Sequence, residues 1–381
     1  MPTKEINIAS LASYQIYPAK MGGQKGIALF YEYLATLTPV TIFCTSNNTA
    51  DEIKEKIKLL PVLGKSKFRY INPMLFFSLR RYLRKNNITH LILEHPYYGW
   101  LGVMLKWFAP VKLIIHSHNI EALRFKSTGK WWWGILWHYE KLTHRKAHLS
   151  FFIQDDDRNY GIKKFGLDPD KCITITYGCE MTHPPAAEDK RMARSSICNN
   201  YAIAPEKTII LFNGTLDYKP NRDALDSILK KINPLLLANK NFGYAIIICG
   251  NKLPAAYNKL DKYRDKNIIF AGFVDDITVF FKGADIFINP VTDGGGIKTK
   301  VVEALGYDLS VVSTRSGAIG IPPGVTGEKM VTCTDDDWED FAFQITTIQK
   351  DMSIPKNFFD HFYWGNIAAK ALEAIEQIIP S

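Results

Sequence analysis

The stretch that decides the fold lies in the second half of the chain and reads Asp293-Gly294-Gly295-Gly296-Ile297-Lys298-Thr299-Lys300-Val301-Val302-Glu303-Ala304-Leu305. It is preceded by one apolar run, Ile286-Phe287-Ile288-Asn289-Pro290, and followed by another, Leu309-Ser310-Val311-Val312-Ser313. From Ile297 onward the apolar residues recur with helical spacing, at Val301, Ala304 and Leu305. The order of strand, glycine loop, helix and strand is typical of an α/β fold with a parallel sheet.

The glycine loop has the chemistry of an anion site. Glycines before a helix let the backbone approach a ligand closely and direct free N–H groups at it. The helix N-terminus favours phosphate, and Lys298 and Lys300 add full positive charges. Glu303 follows Lys300 by one turn, where its carboxylate can accept hydrogen bonds from sugar hydroxyls. These features predict a nucleotide-sugar site; the alternative is a ligand-free loop with a surface pair between Lys300 and Glu303.

Length and composition set the class of protein. A chain of 381 residues exceeds the usual size of a single core, which predicts two domains. With 46% hydrophobic and 22% charged residues, the composition is that of an ordinary soluble protein. The six cysteines are scattered without a CxxC pair, which favours reduced thiols in a cytoplasmic protein. We expect neither a signal peptide nor a membrane-spanning segment.

The net charge of +9 predicts an acidic partner. Nucleic acid is not expected, because the basic residues are spread along the chain and no nucleic-acid module is recognisable. Two segments, residues 75–85 and 126–146, combine Lys and Arg with aromatic residues, as helices do that lie on anionic lipid. An anionic membrane surface, at the inner face of the membrane, is therefore a candidate partner. The alternative is a pair of core helices with a solvated basic rim.

Strand-like and helical patterns alternate in both halves of the chain, which predicts two doubly wound parallel sheets with ligand sites beyond the carboxyl ends of the strands. The predicted organisation is an N-terminal domain over residues 1–185, a linker over 186–205, a C-terminal domain over 206–357 and one long helix over 358–381. The predicted strands are Ile6–Ala9, Val40–Cys44, Leu91–Leu93, Val111–Ile115, Leu149–Ile153, Cys172–Thr176, Thr208–Phe212, Tyr244–Cys249, Ile268–Ala271, Ile286–Asn289 and Leu309–Ser313.

Two histidines follow the predicted strand Val111–Ile115, at a position where functional residues concentrate in such sheets. His116 and His118, with Glu121 nearby, have some character of a metal site, but no third ligand is obvious. A single His118 that hydrogen-bonds or exchanges protons with a ligand is the preferred interpretation. A buried structural histidine is the alternative.

The turn after the predicted strand Thr208–Phe212 adds cationic groups to the second half. Asn213-Gly214 forms the turn, and Pro220 suits the start of a helix. Lys219 stands near that helix start, where it is expected to reach the same phosphates as the glycine loop.

The sequence resembles the group-1 (family-4-type) glycosyltransferases of the GT-B fold over nearly its whole length. The resemblance implies two Rossmann-like domains facing across a cleft, with a C-terminal helix that crosses back to the N-terminal domain. It is carried by Gly22-Gly23, His118-Asn119-x-Glu121, Asn213-Gly214 with Tyr218-Lys219-Pro220-Asn221, Gly272-Phe273-Val274, Gly294–Glu303 with Ala304-Leu305-Gly306-Tyr307, and Val311-Val312-Ser313-Thr314.

For the donor, the resemblance implies that Glu303 binds the ribose and that Phe273 lies against the base. Lys219, with Lys298 or Lys300, would neutralise the phosphate charge of the leaving nucleotide. Gly23 would let the first loop approach donor and acceptor, and His118 would face the transferred sugar. The diphosphate would be held by the backbone N–H groups of Gly295, Gly296 and Ile297, and the donor site as a whole would also include Gly214, Asp293 and Gly294.

One position departs from the family. Many members carry a second glutamate eight positions before the ribose-binding one, and this chain has Gly295 there, with Asp293 as the nearest substitute. The resemblance implies transfer from a UDP- or GDP-sugar to a glycan or lipid-linked acceptor, with retention and in polysaccharide biosynthesis. No metal or other cofactor is expected, because the helix N-terminus and the lysines take the role of a divalent ion. The alternatives are a nucleotide-sugar epimerase and a nucleotide-sugar-binding protein that has lost catalysis.

Overall fold

The computed structural model describes residues 6–19, 22–49 and 56–378, and the chain divides into two compact units. Unit 1 comprises Met1–Gly178 and Trp364–Ser381, and unit 2 comprises Cys179–Tyr363. Each unit has its own parallel sheet, so the prediction of two α/β domains is confirmed.

The strands are β1 (Ile8–Ala12), β2 (Val40–Thr45), β3 (Ile57–Leu63), β4 (His90–Glu94), β5 (Lys112–Ser117), β6 (Leu149–Phe152), β7 (Cys172–Thr174), β8 (Thr208–Asn213), β9 (Tyr244–Cys249), β10 (Ile268–Gly272), β11 (Ile286–Asn289), β12 (Ser310–Thr314) and β13 (Met330–Cys333). The α-helices are α1 (Gly22–Leu37), α2 (Met74–Lys85), α3 (Gly99–Phe108), α4 (Glu121–Ser127), α5 (Trp133–Lys146), α6 (Asp155–Tyr160), α7 (Ala187–Tyr201), α8 (Lys219–Ser227), α9 (Asn233–Ala238), α10 (Thr278–Gly283), α11 (Thr299–Gly306), α12 (Pro323–Thr326), α13 (Trp338–Thr347), α14 (Lys356–Phe362) and α15 (Trp364–Gln377).

The strand order is β3-β2-β1-β4-β5-β6-β7 in unit 1 and β10-β9-β8-β11-β12-β13 in unit 2. Every ladder in both sheets is parallel. The central strands are continuous apolar runs, such as Tyr244–Cys249, because helices cover both faces of the sheet. In each sheet the chain reverses its winding direction at one pair of strands, β1 and β4 in unit 1 and β8 and β11 in unit 2. Ligands of open α/β sheets bind outside the carboxyl ends of the strands at such a point.

The sequence patterns missed the strands β3 and β13. Both are outermost strands of their sheets, and β3 exposes Lys58 and Pro61, so neither has the buried apolar run of a central strand. None of the helices in the described part of the chain is long and apolar enough to cross a membrane.

The segment predicted as a linker, residues 186–205, is largely helix α7 and belongs to unit 2. The helix buries Ala193, Ile197 and Cys198, and the Arg194 guanidinium binds both carboxylate oxygens of Asp285 at 2.8 and 2.9 Å. A helix with so few buried residues gives only a weak apolar period, which is why its sequence reads as irregular.

The C-terminal segment is two helices rather than the one predicted. Helix α14 belongs to unit 2 and α15 to unit 1, where α15 packs against α1. The break occurs at Tyr363, whose backbone is extended, because the carbonyl of Phe362 accepts a hydrogen bond from the Cys179 amide at 2.7 Å. The last predicted helical residues, 379–381, lie outside the described residues.

Candidate functional site

The glycine loop of unit 2 is organised around the ammonium group of Lys298. Its Nζ donates to the carbonyl oxygens of Gly294 at 2.7 Å, Gly296 at 3.0 Å and Gly295 at 3.4 Å. In a trans peptide the N–H points opposite to the C=O of the same plane. The amides of Gly295, Gly296 and Ile297 therefore point away from Lys298, and they donate to no acceptor in the part of the chain that the structure describes. Successive free amides of this kind are the groups that anion-binding turns use.

The conformation of the loop requires glycine at two of its positions. Gly294 has φ +96° and Gly296 has φ +75°, both in the region that favours glycine. The helix starts at Thr299, with Lys298 as its N-cap, rather than at Ile297 as predicted. The difference arises because the Lys298 side chain binds the loop carbonyls and keeps Lys298 itself extended.

The side chain of Lys300 is half-buried and reaches the turn that follows β8. Its Nζ donates to the Asn213 carbonyl at 3.2 Å and to Asn221 Oδ1 at 3.1 Å, and it lies 4.6 Å from the centre of the Phe212 ring. Burial lowers the pKa of Lys300 to about 7, with a further contribution from the charge of Lys298. Burial likewise lowers the pKa of Lys298 to about 8. Both pKa values would rise next to a diphosphate, so the pair is suited to receive one.

The turn between β8 and α8 packs against the lysine and the loop. A Cβ on Gly214 would lie 2.7 Å from the Asn221 amide, so glycine is needed for Asn221 to reach Lys300. A Cβ on Gly294 would come within 3.5 Å of Pro220 and 3.8 Å of the Tyr218 hydroxyl. The turn and the glycine loop therefore form one surface at the reversal point of the sheet, as the sequence predicted.

The ammonium group of Lys219 is exposed and already paired. It donates a hydrogen bond to Asp223 at 2.6 Å and lies 3.9 Å from Asp293, and the bond to Asp223 raises the pKa of Lys219. Asp293 Oδ1 also accepts from the Gly294 amide at 2.6 Å. Asp293 thus holds the turn of the loop, beyond its predicted role as a substitute carboxylate.

Glu303 and Phe273 complete the predicted donor residues of unit 2. Glu303 lies on α11 one turn after Lys300 and is half-buried. Phe273 directly follows β10 and Gly272, which has φ +72°, and its side chain is 69% exposed. An exposed aromatic ring at a strand end is available for stacking on a flat ligand.

A second cluster lies at the reversal point of the sheet in unit 1. Glu94 ends β4 opposite His116 of β5, and its side chain is fully buried. Its oxygens accept hydrogen bonds from Tyr31 Oη at 2.5 Å, His116 Nδ1 at 3.1 Å and His118 Nε2 at 2.6 Å. The predicted residue His118 is the member of this set that reaches the surface of the unit, with its side chain 14% exposed.

A second buried carboxylate, Glu121, supports the neighbouring histidine. Glu121 is bound by the Arg124 guanidinium and the Tyr97 hydroxyl, and its Oε1 lies 3.3 Å from His95 Nδ1. His95 Nε2 is 3.0 Å from the Tyr14 hydroxyl, and the His95 ring stacks on His118 with centroids 4.6 Å apart. His95 has φ +65°, which is strained for a residue with a side chain and is held by these contacts.

The two carboxylates of this cluster are charged near pH 7. Burial alone would raise the pKa of Glu121, but His95 and Arg124 outweigh it and lower that pKa to about 2. Burial lowers the pKa of both His95 and His118 from the ordinary value for histidine.

Glu94, His116 and His118 also place one oxygen and two nitrogens within 4.8 Å of one another, the spacing of metal ligands. The sequence pattern pointed to His116 and His118 with Glu121 nearby and showed no obvious third ligand, whereas the structure places Glu94 beside the two histidines. Both imidazoles hydrogen-bond directly to Glu94, so His116 Nδ1 and His118 Nε2 have a partner without an ion. Absence of a metal stays a prediction.

Gly23 lies in the first turn of α1, is exposed, and has open space around the position of a Cβ. Gly23 and His118 belong to unit 1, whereas the other predicted site residues belong to unit 2 and surround the glycine loop. The sequence reasoning missed Glu94 and His95. A signal for both exists, since two ionisable residues directly end the apolar run Leu91-Ile92-Leu93.

Two family models match the chain. The model described as Glycosyltransferase Family 4 matches residues 22–182, and the model described as Glycosyl transferases group 1 matches residues 207–351. A relative from Klebsiella pneumoniae, named an uncharacterized 44.6 kDa protein in the cps region, is 23% identical over 88% of this chain and 89% of its own length.

Solved structures share the fold at low sequence identity. Sucrose-phosphate synthase from Thermosynechococcus elongatus has a TM-score of 0.74 at 15% identity, covering 98% of this chain and 99% of the other. HepE from Anabaena in complex with UDP has a TM-score of 0.71 at 14% identity, covering 98% and 100%. HepE in complex with UDP-glucose has a TM-score of 0.68 at 15% identity over the same shares. These likenesses confirm the predicted GT-B architecture of two Rossmann-like domains.

Proposed function

Because the chain belongs to the group-1, family-4-type glycosyltransferases, we propose that it transfers a sugar from a UDP- or GDP-sugar to a glycan or lipid-linked acceptor with retention. The observation that carries the donor assignment is the set of three free amides at Gly295, Gly296 and Ile297. A diphosphate is the part of such a donor that needs several converging N–H groups and nearby cations. HepE, which shares the fold, binds UDP and UDP-glucose, and this supports a nucleotide-sugar donor.

The lysines supply the electrostatic part of the proposed mechanism. Negative charge grows on the nucleotide diphosphate as its bond to the sugar breaks, and fixed cations lower the energy of that state. Lys300 and Lys298 are held by neutral carbonyl and amide oxygens, so their charge is available to the phosphates. The ammonium group of Lys219 is already paired with Asp223 and Asp293, so Lys219 contributes less than Lys298 and Lys300 to neutralising the phosphates.

The remaining donor contacts follow the family assignment. Glu303 is proposed to accept hydrogen bonds from the ribose hydroxyls, Phe273 to lie against the base, and His118 to contact the transferred sugar. Gly295 leaves no carboxylate at the position where many relatives have one, so the sugar must be recognised by other groups. No metal or other cofactor is part of the proposal.

The test is a thermal-shift screen of the purified protein against UDP- and GDP-sugars, followed by transfer assays with the donors that bind. A donor at one hundred times its Kd should stabilise the fold by about 2.7 kcal/mol. Donor binding followed by transfer that is lost in Glu303→Ala supports the proposal. Binding without transfer to any acceptor would favour a binding protein, and isomerisation of the donor without an acceptor would favour an epimerase.

We further propose that the protein is cytoplasmic and works at the inner face of an anionic membrane, where it contributes to polysaccharide biosynthesis. Basic residues occur throughout the chain, but their excess over acidic residues can be traced to one segment. Residues 56–93 contain nine Lys or Arg and no Asp or Glu. Without these nine, the 47 basic residues become 38 and balance the 38 acidic ones. The whole net charge of +9 therefore resides in a segment of unit 1.

This segment and the neighbouring helix α3 expose apolar side chains. Phe77 on α2 is 60% exposed and Trp107 at the end of α3 is 63% exposed. Phe76 joins these helices, since its ring packs edge-on against both Phe77 and Phe108. Exposed aromatic residues among uncompensated cations favour an anionic lipid surface over an acidic protein or nucleic acid. The other exposed large apolar side chains of this surface are Phe68, Ile71, Met74 and Phe108.

The second basic aromatic segment is less available. Lys126 lies over the Trp133 ring at 4.6 Å and Lys141 over the Trp137 ring at 4.9 Å. Among its four tryptophans, Trp131 is the one that is largely exposed, at 83%. The two segments can therefore be separated by mutation.

Co-sedimentation with vesicles of phosphatidylcholine, with or without phosphatidylglycerol, tests the membrane proposal. We expect binding to the anionic vesicles alone, and a loss of about tenfold or more in Phe77→Ser/Trp107→Ser, because each buried aromatic side chain contributes about 1.5–3 kcal/mol. Trp131→Ser is the control and should bind as the parent does. Loss in Trp131→Ser instead would assign docking to the second segment, and no binding to either vesicle would refute the proposal.

A further inference from the structure

Behind His118 in unit 1 lies a carboxylate to which neither the family assignment nor the proposed mechanism gives a role. Glu94 is fully buried and receives three hydrogen bonds, from Tyr31, His116 and His118. The shorter of the two hydrogen bonds from imidazoles is the 2.6 Å bond from His118 Nε2. Burial on its own raises the pKa of Glu94, but the two imidazoles outweigh it and hold this pKa below the ordinary value. Glu94 is therefore ionised.

An ionised carboxylate determines which nitrogen of His118 carries the proton. A carboxylate has acceptors and no donor, so the nitrogen that faces it must be an N–H. In a neutral imidazole the other nitrogen then has a free lone pair. Burial, followed by the charge of His116, lowers the pKa of His118, which keeps the ring neutral near pH 7. His118 thus has a proton on Nε2 and a lone pair on Nδ1.

The orientation of the ring is fixed as well as its tautomer. His95 stacks on one side of His118 with an angle of 29° between the rings, and His116 lies 4.5 Å away at 41°. The titratable groups that act on His118 are Glu94, His116, His95 and Glu121. Rotation of the His118 ring would break both the 2.6 Å bond and the stack.

We propose that Glu94 is a positioning residue, which holds His118 as the neutral Nε2–H tautomer and so presents Nδ1 as a hydrogen-bond acceptor for a substrate hydroxyl group. The catalytic part of this proposal rests on the proposed function, which assigns His118 to the transferred sugar. The tautomer part rests on the contacts within unit 1 alone. A carboxylate that orients an imidazole in this way raises catalysis without contacting the substrate itself.

Long-range ¹H–¹⁵N NMR spectra of protein labelled at histidine test the tautomer directly. The His118 signal is assigned by its disappearance in His118→Asn. We expect the Nε2–H pattern in the wild type and a shift to Nδ1–H or to a mixture in Glu94→Gln, because the amide can donate to Nε2. The wild-type spectrum decides even if Glu94→Gln does not fold, since an Nδ1–H pattern there overturns the proposal. An unchanged Nε2–H pattern in folded Glu94→Gln overturns it too.

The matched control is Glu140→Gln. Glu140 is also fully buried in unit 1, but its oxygens cap α4 by accepting from the backbone amides of Glu121 and Ala122 at 3.0 Å. Burial raises the pKa of Glu140 to about 8, so this side chain is largely uncharged near pH 7 and the substitution removes little charge. Glu140→Gln keeps one of the two capping hydrogen bonds and should retain the Nε2–H pattern of His118, because Glu140 bonds to backbone amides rather than to that imidazole.

Transfer kinetics test the consequence for catalysis. In Glu94→Gln we expect kcat to fall by about 10–100-fold, the usual effect of a misplaced reacting group, while KM for the donor changes less than about threefold. Glu94→Asp, which keeps the charge, should recover part of kcat. A fall in kcat that parallels a loss of melting temperature in all Glu94 variants would assign a merely structural role and overturn the proposal. If the wild type transfers no sugar, the proposed function fails. The NMR experiment still tests whether Glu94 sets the tautomer of His118.

Discussion

The glycine loop of unit 2 and the cluster around Glu94 and His118 in unit 1 are prepared for a ligand in opposite ways. In unit 2 the glycine loop offers backbone N–H groups, and its lysines are held by neutral oxygens. Its positive charge is therefore uncompensated until an anion arrives. In unit 1 the two buried carboxylates, Glu94 and Glu121, each have several donors around them. Hydrogen bonds within the cluster and the Arg124 guanidinium compensate these carboxylates, and what the cluster offers is an oriented neutral imidazole.

The cluster of unit 2 thus attracts an anionic ligand by its charge, whereas the cluster of unit 1 holds a side chain in a fixed orientation. A site with uncompensated charge should respond strongly to the loss of a cation and to pH, because its binding energy is electrostatic. A site with compensated charge should respond to changes in geometry and tautomer. The following expectations test this contrast, from the largest effect to the smallest.

The largest effect is expected for Lys300→Met. The change removes the half-buried cation of Lys300 but keeps a similar length and volume. We expect transfer to fall by about 10²–10³-fold, the usual cost of removing one group that stabilises charge in the transition state. Initial rates at saturating donor and acceptor measure this effect.

The control for this variant is its melting temperature, measured as a function of pH. The folded-state pKa of Lys300, about 7, lies below its ordinary value of 10.5. Between these two pH values the unfolded chain binds more protons, so this lysine makes the wild type less stable as the pH falls from 10.5 to 7. The melting temperature of Lys300→Met relative to the wild type should therefore be highest at or below pH 7. Undiminished transfer would contradict the role of Lys300.

A smaller effect is expected for Glu303→Gln. The substitution keeps the shape but replaces charged hydrogen bonds to the ribose with neutral ones. Hydrogen bonds to a charged group contribute about 1.5–3 kcal/mol, so Kd for the donor should rise by about 10–100-fold. Calorimetric titration with the nucleotide diphosphate measures it. Glu373→Gln, an exposed glutamate on α15, is the control, and equal affinity in both variants would exclude a ribose contact.

Donor binding should also depend on pH. A bound diphosphate favours the charged forms of Lys300 and Lys298, whose pKa values in the free protein are about 7 and 8. Binding therefore takes up protons, and Kd should increase as the pH rises above 7, by at most about tenfold per unit for each proton taken up. In Lys300→Met this dependence should be reduced. A Kd independent of pH between 7 and 9 would show that neither lysine changes its charge on binding.

The structure of each cluster explains how much of it could be predicted. The glycine loop, Lys300 and Glu303 lie within a dozen residues, so their local pattern predicts an anion site made of backbone amides. The exception is the start of α11, two residues later than predicted, because a lysine side chain bonding to loop carbonyls has no sequence signature. The central strands were likewise predictable from their apolar runs, whereas the outermost strands β3 and β13 were not.

The cluster in unit 1 could be predicted only in part. Its members come from β4, β5, α1 and the loops after β1, β4 and β5, and only the sheet order brings them together. His118 was found through its position after a strand, but its partner Glu94 is 24 residues away in sequence. Such a network becomes visible when strand register is known.

A matched pair of glycine substitutions probes the backbone part of unit 2. Gly294→Ala places a side chain at φ +96° and about 3.5 Å from Pro220, whereas Gly295 is outside the positive-φ region and exposed. The strain costs on the order of 1–2 kcal/mol. We expect Gly294→Ala to weaken donor binding by about 5–30-fold and Gly295→Ala to leave it nearly unchanged. Equal effects would mean that the loop adapts its backbone when it binds.

No effect is expected from removal of divalent metal ions. In the proposed function Lys298 and Lys300 neutralise the diphosphate in place of an ion, and Glu94 is already hydrogen-bonded to His116 and His118. Transfer in EDTA should therefore equal transfer with added Mg²⁺ or Mn²⁺. A loss in EDTA that is restored by Zn²⁺ and is absent in His116→Asn would place an ion in unit 1. In that case the cluster of unit 1 would also act by charge, and the contrast between the two clusters would no longer hold.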